Sequence, residues 1–466
     1  MTPEEFRRYG HEVVDWIADY SERIREYPVL SRNKPGDLTR ALPGSAPETG
    51  EPMDAILNDF RNLIVPAITH WNHPAFLGYF ATSGSEPGVL GEMLTAGLNV
   101  NGMLWKSSPA VTELEQVTLS WLRQWLGLPD TFFGLIYDTA STSTLHAVVA
   151  ARQMADPADI ANLVLYCSEQ AHSSVEKAAV TAGICRSNVR KIGVDEAFRL
   201  RPLLLSNAIE QDRAAGRQPF CIVATVGTTA MASTDPVEQI ADIAALHNIW
   251  LHVDAAYGGS AAILPEMAHV MNGCGRAHSL VVNPHKWLLT PVDLSVFYTS
   301  RPDILRRAFS LVPEYLRTED NPEAVNLMDY GFQLGRRFRA LKLWFVMRSY
   351  GRAGLAEIIR GHLELAQEFA GWVRGDIRFE LCAPVDFSLV CFRYCGSDAD
   401  NQKLLDAINQ SGTALLSPAV FGGRMLLRLA IGNYRTTRND LRRVWDCLGL
   451  LADQLVLSGG TLDSRR

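Results

Sequence analysis

Several features that would assign a chain to a specialised class are missing from this sequence. Its 466 residues carry 44 Lys and Arg against 51 Asp and Glu, so no overall positive charge draws it to nucleic acid or to an anionic membrane. The opening segment MTPEEFRRYG has no apolar core of a secretion signal, and no uninterrupted apolar run is long enough to span a bilayer. We therefore expect a cytoplasmic protein that acts on small molecules.

Cysteine pairs with the spacing of metal sites are also missing. The eight cysteines are scattered without a CxxC pair or zinc-type spacing, and several lie in apolar runs. This predicts buried thiols in a reducing cytosol and no metal site. No GxxxxGK loop is present, which disfavours a nucleotide phosphate as the ligand.

Short apolar runs alternate with helical patterns between about residues 86 and 341. The runs that predict strands are 135–137, 162–167, 221–226, 249–253, 280–282 and 294–298. This alternation predicts an α/β fold with a mostly parallel sheet flanked by helices.

The two ends of the chain have different patterns. Apolar side chains from Phe6 to Ile24 recur at spacings of three and four, and Thr2 with Glu5 forms a predicted capping box, so a helix starts the chain. We expect an N-terminal helical arm (1–85) used in dimerisation, a large α/β domain (86–341) and a smaller C-terminal α+β domain (342–466). In the last of these, strands are predicted near 389–392 and 425–431, and a helix near 439–455.

Five polar motifs each follow a predicted strand directly. They are DTAST (138–142), QAHS (170–173), GTT (227–229), DAAY (254–257) and NPHK (283–286). Because ligands in open α/β sheets bind outside the carboxyl ends of the strands, we expect these motifs to converge on one crevice. Taken singly, each also fits a structural role: Asp254 can cap a helix, Lys286 can be a solvated strand end, and Ser173 with Glu176 forms a capping box.

Together, the motifs match the needs of pyridoxal 5′-phosphate (PLP). This cofactor needs a lysine amine that binds it covalently, an acidic group beside its ring nitrogen and a neutral planar group over its ring. Lys286, Asp254 and His172 are the candidates. Its phosphate needs hydroxyls and free N–H groups at a helix N-terminus. The candidates for the phosphate are Thr139, Ala140 and Ser141.

The motifs HVDAAY (252–257), NPHKW (283–287), QAHSSVE (170–176) and GRRFR (335–339) closely resemble those of the aromatic-L-amino-acid decarboxylase family of fold-type-I PLP enzymes. The resemblance covers nearly the whole chain. It implies the fold-type-I architecture, PLP as the cofactor, and a homodimer with its active sites at the subunit interface. The implied reaction converts an aromatic L-amino acid to its amine and carbon dioxide.

The resemblance also implies roles for individual residues. Lys286 would carry the cofactor, Asp254 would pair with its ring nitrogen, and His172 and Ala256 would lie on opposite faces of the ring. The residues implied to hold the phosphate are Thr139, Ala140, Ser141, Asn283 and His285, and Thr229 would lie close to the ring. Tyr315 matches the tyrosine of the family's mobile loop, which is thought to protonate the substrate carbon after carbon dioxide leaves.

The residues expected to contact the substrate are Trp71, Tyr79, Phe80, Thr82, Asn101, Met103 and Gly335. Two of them depart from the family, which commonly has an aliphatic and an aromatic residue where this chain has Asn101 and Met103. The phosphate loop departs as well, with Asp138-Thr139 in place of the usual glycine-serine. By resemblance, a glycine at 335 favours indole substrates, so we expect tryptophan or 5-hydroxytryptophan, with tyrosine, DOPA or phenylalanine also open.

Four other functions stay open on the sequence. An aromatic aldehyde synthase couples decarboxylation to oxidative deamination, although in the family that activity goes with phenylalanine at the position of Tyr315. A histidine decarboxylase and a PLP aminotransferase are further enzyme alternatives. A catalytically silent dimer used for interaction is the alternative from another class, and the retained lysine, aspartate, histidine and tyrosine argue against it.

Overall fold

The computed structural model describes residues 1–155, 157–310 and 324–457 of the chain. The helices are α1 (Pro3–Glu22), α2 (Asp37–Ala41), α3 (Met53–Asp59), α4 (Glu86–Leu98), α5 (Pro109–Trp125), α6 (Ala140–Met154), α7 (Ser173–Thr181), α8 (Pro202–Ala214), α9 (Val237–His247), α10 (Pro284–Trp287), α11 (Pro302–Phe309), α12 (Ala340–Gly375), α13 (Asp398–Ser411) and α14 (Arg438–Leu457). The strands are β1 (Phe133–Tyr137), β2 (Leu163–Ser168), β3 (Val189–Ile192), β4 (Gln218–Thr225), β5 (Trp250–Asp254), β6 (Ser279–Val282), β7 (Ser295–Thr299), β8 (Phe379–Leu381), β9 (Leu389–Tyr394), β10 (Ser417–Phe421) and β11 (Arg424–Ala430).

Seven strands form the main sheet in the order β1-β7-β6-β5-β4-β2-β3. The pairs β2–β3, β2–β4, β4–β5 and β5–β6 are parallel, whereas β7 is antiparallel to both β6 and β1. Six strands therefore run in one direction, and their carboxyl ends lie along one edge of the sheet. The expected mostly parallel α/β sheet is confirmed, with β7 as the one reversed strand of this sheet.

The central strands are buried along their length because helices cover the sheet. Every residue of β2, β5 and β6 is buried, as expected of parallel strands covered on both faces. Ala147 and Val148 of α6 share a core cluster with Leu165 of β2 and Val223 of β4. Burying each such Val or Leu contributes about 1.5–3 kcal/mol, so this packing holds the start of α6 against the sheet edge.

The chain divides into two compact units. The larger unit comprises Thr82–Gly371 and Leu381–Cys391, and the smaller comprises Met1–Ala81, Trp372–Glu380 and the chain from Phe392 onward. Within the smaller unit, the Arg25 guanidinium binds the Asp440 carboxylate at 2.9 Å, so the N-terminal segment contacts α14. The three-part division at residues 85 and 341 stays a prediction.

Of the two capping boxes predicted from the sequence, the structure contains one. The capping box of α1 is confirmed, since the Glu5 N–H donates to Thr2 Oγ1 at 3.2 Å and the Thr2 N–H donates to Glu5 Oε2 at 2.7 Å. The capping box at Ser173 is wrong, because α7 begins at Ser173 and His172 is its N-cap. Among the described helices, none is long and apolar enough to cross a membrane.

Candidate active site

The sheet topology brings the polar motifs of the larger unit to one edge. Thr139 follows β1, His172 follows β2, Thr229 follows β4, Asp254 ends β5, and Lys286 follows β6. These strands run in the same direction, so each motif lies outside a carboxyl end. The motifs therefore share one edge of the sheet, and their convergence on a single crevice stays a prediction.

Lys286, Asp254 and His172 lie close enough for their charges to interact. Burial lowers the pKa of the Lys286 amine, and the Asp254 carboxylate opposes this shift. The pKa of His172 is also lowered, first because surrounding protein excludes water from its ring and then because Lys286 is positive; Asp254 again opposes the shift. Both shifts favour the neutral forms, which suit a nucleophilic amine and an uncharged ring over a cofactor.

Backbone contacts hold the Asp254 loop against the Lys286 loop. Asp254 Oδ1 accepts the Ala256 N–H at 3.1 Å, and the Ala256 carbonyl accepts the Asn283 N–H at 3.0 Å. The loop after β4 also approaches the Asp254 loop, since Gly227 has a φ of +82° and a Cβ there would lie 2.9 Å from the Gly258 nitrogen. Only glycine allows these two loops to pass so closely.

Asn283 and His285 present donors that suit an anion. The Leu294 N–H donates to His285 Nδ1 at 2.9 Å, and burial lowers the pKa of His285 to about 4, so the neutral ring carries its proton on Nε2. This Nε2 lies 3.2 Å from Asn283 Nδ2, which is also a donor. Among the described residues, Asn283 Oδ1 is buried without a hydrogen-bond partner.

Two donors at 3.2 Å do not satisfy each other. Reversing the Asn283 amide would let Oδ1 accept the His285 Nε2–H. As placed, neither of the two facing donors has an acceptor among the described residues, and buried donors require one. The phosphate of PLP has the oxygens to supply it, so these residues fit the cofactor.

The start of α6 adds backbone donors at the same edge. Thr139 is the N-cap, and its Oγ1 accepts the Thr142 N–H at 3.4 Å. Asp138 Oδ1 accepts the Thr139 N–H at 2.6 Å, so the carboxylate that departs from the family pattern is used within its own loop. The N–H groups of Ala140 and Ser141 belong to the first turn, where no intrahelical acceptor exists, and they suit an anion.

Two of the expected substrate residues of the larger unit, Asn101 and Gly335, line a cleft of about 440 Å³. Asn101 Oδ1 accepts the Arg336 N–H at 2.9 Å, and Asn101 Nδ2 lies 3.7 Å from Met103 Sδ. A Cβ added at Gly335 would lie 3.8 Å from Asn101 Nδ2, which is ordinary van der Waals contact. Thr82 is half-buried at the start of the larger unit.

The other expected substrate residues are Trp71, Tyr79 and Phe80, which lie in the smaller unit. The Trp71 ring stacks on Phe76 at 4.3 Å and on Tyr79 at 5.8 Å, and Arg428 lies 5.4 Å from the Phe80 ring centre. Their contact with substrate stays a prediction. Tyr315 lies outside the described residues.

One aromatic cluster beside the site was given no role by the sequence analysis. Tyr257, three residues after Asp254, stacks on Trp287, the residue after Lys286, with ring centroids 4.6 Å apart. The Trp287 indole N–H donates to His362 Nδ1 at 2.9 Å, and the Tyr257 and Ser388 hydroxyls are 2.7 Å apart. The cluster joins the two loops that carry the candidate catalytic groups, and its only sequence signal was adjacency to the motifs.

Known proteins match this chain over nearly its whole length. The model of the pyridoxal-dependent decarboxylase conserved domain matches residues 35–395. Aromatic-L-amino-acid decarboxylase of Catharanthus roseus is 41% identical, over 98% of this chain and 95% of the relative. Phenylacetaldehyde synthase of a Rosa hybrid cultivar is 42% identical, over 96% of this chain and 93% of the relative. The crystal structure of Oryza sativa TDC with PLP and tryptamine superposes with a TM-score of 0.95 at 36% identity, covering 98% of this chain and 99% of that one.

Proposed function

This chain belongs to the family of pyridoxal-dependent decarboxylases, and from that premise we propose that it converts an aromatic L-amino acid to the corresponding amine and carbon dioxide. It is a PLP-dependent carboxy-lyase. The observation that carries the proposal is the grouping of Lys286, Asp254 and His172 at one sheet edge, beside the donors of Asn283 and His285.

Each group has a defined task toward the cofactor. PLP, when bound, supplies an electron sink for the electron pair left on the substrate carbon as the carboxylate departs. Lys286 would hold the cofactor covalently, which its lowered pKa would assist by supplying a neutral amine. Asp254 would supply a negative charge to the ring nitrogen, and His172 would supply an uncharged ring to the cofactor. Asn283, His285 and the start of α6 would hold the phosphate.

The substrate class follows from the residues expected to line the site. Trp71, Phe80 and Met103 are apolar, so a second carboxylate such as that of glutamate would lose its hydration against them at high cost. Gly335 has room beside it, which suits a wide ring such as indole. We therefore assign tryptophan or 5-hydroxytryptophan as preferred substrates, with Tyr315 as the donor of the proton to the substrate carbon.

A substrate panel tests the proposal. The ratio kcat/KM is measured for tryptophan, 5-hydroxytryptophan, tyrosine, DOPA, phenylalanine, histidine and glutamate, with amine, aldehyde, ammonia and peroxide quantified together. We expect amine as the product, and aromatic substrates ahead of glutamate by at least about 100-fold. Preference for glutamate or histidine would refute the aromatic assignment, and aldehyde with peroxide as the main products would show an aldehyde synthase. In the matched variant Gly335→Ser, tyrosine should gain relative to tryptophan.

We also infer that the chain works as a homodimer. Helix α4 exposes Leu90, Met93, Leu94 and Leu98 at 51%, 41%, 50% and 58% of their surfaces, and α1 has no buried residue. Contiguous apolar surface of this kind is typical of subunit interfaces. Light scattering should give twice the 51.5 kDa chain mass, and a monomer with full activity would contradict the inference.

A cytoplasmic location is the remaining inference. Cys167, Cys221 and Cys274 are free thiols and are buried. Unpaired buried thiols are typical of reducing compartments. Recovery of the protein with secreted material on cell fractionation would refute this location.

A further inference from the structure

A buried ion pair between Arg336 and Glu115 lies beside the cleft lined by Asn101 and Gly335, and Arg336 belongs to that lining. Arg336 Nη2 lies 2.6 Å from Glu115 Oε1, and the two side chains are only 7% and 2% exposed. Both residues belong to the larger unit. Glu115 lies on α5, and Arg336 follows Gly335, one of the residues expected to contact substrate.

This pair supplies hydrogen-bond partners to backbone groups on the open edge of β1. Strand β1 is the last strand of the sheet, and β7 occupies its other side. The Ile136 N–H donates to Glu115 Oε1 at 2.9 Å, and the Ile136 carbonyl accepts from Arg336 Nη2 at 3.1 Å. Both peptide groups of Ile136 are therefore held by the ion pair rather than by another strand. Ile136 precedes Thr139, the N-cap of the phosphate-binding helix α6, by three residues.

The backbone of Arg336 holds a second segment. Its N–H donates to Asn101 Oδ1 at 2.9 Å, and its carbonyl accepts the Gly102 N–H at 2.8 Å. The Ser108 hydroxyl donates to the Asn101 carbonyl at 2.6 Å, which fixes the same segment from its other side. A Cβ at Gly102 would lie 2.5 Å from Val111 Cγ1, so glycine lets this segment pass close to α5. Arg336 therefore links the Asn101 segment to β1, the strand that precedes α6.

The pair is better suited to fixing geometry than to adding stability. Arg336 Nε is buried and has no hydrogen-bond partner among the residues that the structure describes. Buried ion pairs with unsatisfied groups contribute little net stability, because desolvation offsets their attraction. Their planar, directional hydrogen bonds still hold the connected segments in one arrangement.

We propose that the Arg336–Glu115 pair is a positioning element that sets the distance between the phosphate end of the site and the wall that meets the substrate side chain. The substrate part of this inference rests on the function proposed above. Displacing either end by a fraction of an ångström weakens binding without removing any group that touches substrate or cofactor.

The test compares Arg336→Lys with a matched ion pair at the opposite edge of the sheet. Arg190 of β3, the other edge strand, binds Asp212 at 2.5 Å, with side chains 34% and 8% exposed. Lysine keeps the charge in both variants but loses the planar fork. For Arg336→Lys we expect KM for the best aromatic substrate and Kd for PLP, titrated into the apo-enzyme, to rise about 10-fold each, with kcat within about 3-fold. Arg190→Lys should lower Tm comparably yet leave KM and Kd within about 2-fold.

A second variant guards against a folding defect. Glu115→Gln keeps an acceptor for the Ile136 N–H but removes the charge that holds Arg336, so KM and Kd should rise while hydrogen exchange quickens in the 133–140 peptide. If KM and Kd stay unchanged in both variants while Tm falls as in Arg190→Lys, the pair is only structural and the proposal is overturned. If the wild type decarboxylates no aromatic amino acid, the proposed function fails, and the PLP affinities alone decide the positioning role.

Discussion

Two lysines of the larger unit have amines whose pKa is lowered by desolvation, and their surroundings differ in an instructive way. Lys342 lies on α12, is 1% exposed, and binds Glu92 Oε2 at 3.1 Å. Lys286 lies on α10, which follows β6, and the negative charge of Asp254 raises the pKa of its amine against the effect of burial. Burial is the main cause of the lowered pKa in both. A lowered pKa therefore reports burial, and only placement at the carboxyl edge, beside His172 and Asp254, turns a buried amine into a candidate nucleophile.

The largest expected effect separates the two lysines directly. Lys286→Ala should abolish multiple turnover, because the amine proposed to hold the cofactor is lost. Lys342→Met keeps the length of the side chain and should leave kcat within about 3-fold, although stability falls. Steady-state amine formation measures both. Sustained turnover by Lys286→Ala, or loss of turnover in a folded Lys342→Met variant, would show that Lys286 is not the only one of the two lysines needed for catalysis or is not needed at all.

The carboxylates beside the two lysines extend the comparison. Asp254→Asn should lower kcat by about 1,000-fold with PLP still bound, because a neutral amide cannot supply the charge beside the ring nitrogen. Glu92→Gln, at the partner of Lys342, is the matched control and should leave kcat nearly unchanged. PLP content by absorbance and kcat by amine release are the measurements. Equal effects from the two substitutions would show that Asp254 acts only as a structural group.

Tyr315 tests whether the Lys286 site also needs a dedicated proton donor. Tyr315→Phe removes the hydroxyl and keeps the ring, so amine formation should fall about 100-fold, in the range of general acid catalysis. Aldehyde, ammonia and peroxide should rise, because the unprotonated carbon persists long enough to meet oxygen. Unchanged amine output without aldehyde would remove Tyr315 from the mechanism.

The smallest expected effect concerns the pH dependence of folding stability, and here the two lysines should behave alike. A folded-state pKa below the unfolded value means that the unfolded chain binds a proton more readily, so stability is lost as pH falls below the ordinary lysine pKa of about 10.4. Lys286→Met and Lys342→Met each remove one such amine from the apo-protein. Each substitution should make the free energy of unfolding depend less on pH, by about 1.4 kcal/mol for every tenfold difference in proton affinity between the folded and unfolded chain. Urea unfolding between pH 10.5 and 7.5 measures it. If the slope of the unfolding free energy against pH changed in only one variant, burial would not act equally on the two amines.

Much of the sheet was predictable because apolar runs mark buried strands. Strand β3 was missed, since its sequence VRKI contains two charged residues, as edge strands often do. The run at 294–298 was identified as a strand, but its reversed direction was not, because an apolar run has no polarity. The start of α6 at Ala140 could not be read from the sequence, since Thr139 to Thr144 fits a turn as well as a capped first turn.

The sequence by itself determined which side chains stand at the carboxyl ends of the strands, and the chemistry of Lys286, Asp254 and His172 follows from those residue types. Only the tertiary structure decided that the Leu294 N–H holds His285 in one tautomer, and that Arg336 meets Glu115 across 221 positions of sequence. Such contacts join segments far apart in the chain, and no local spacing encodes them. They depend on how helices and strands pack, which is a property of the whole fold.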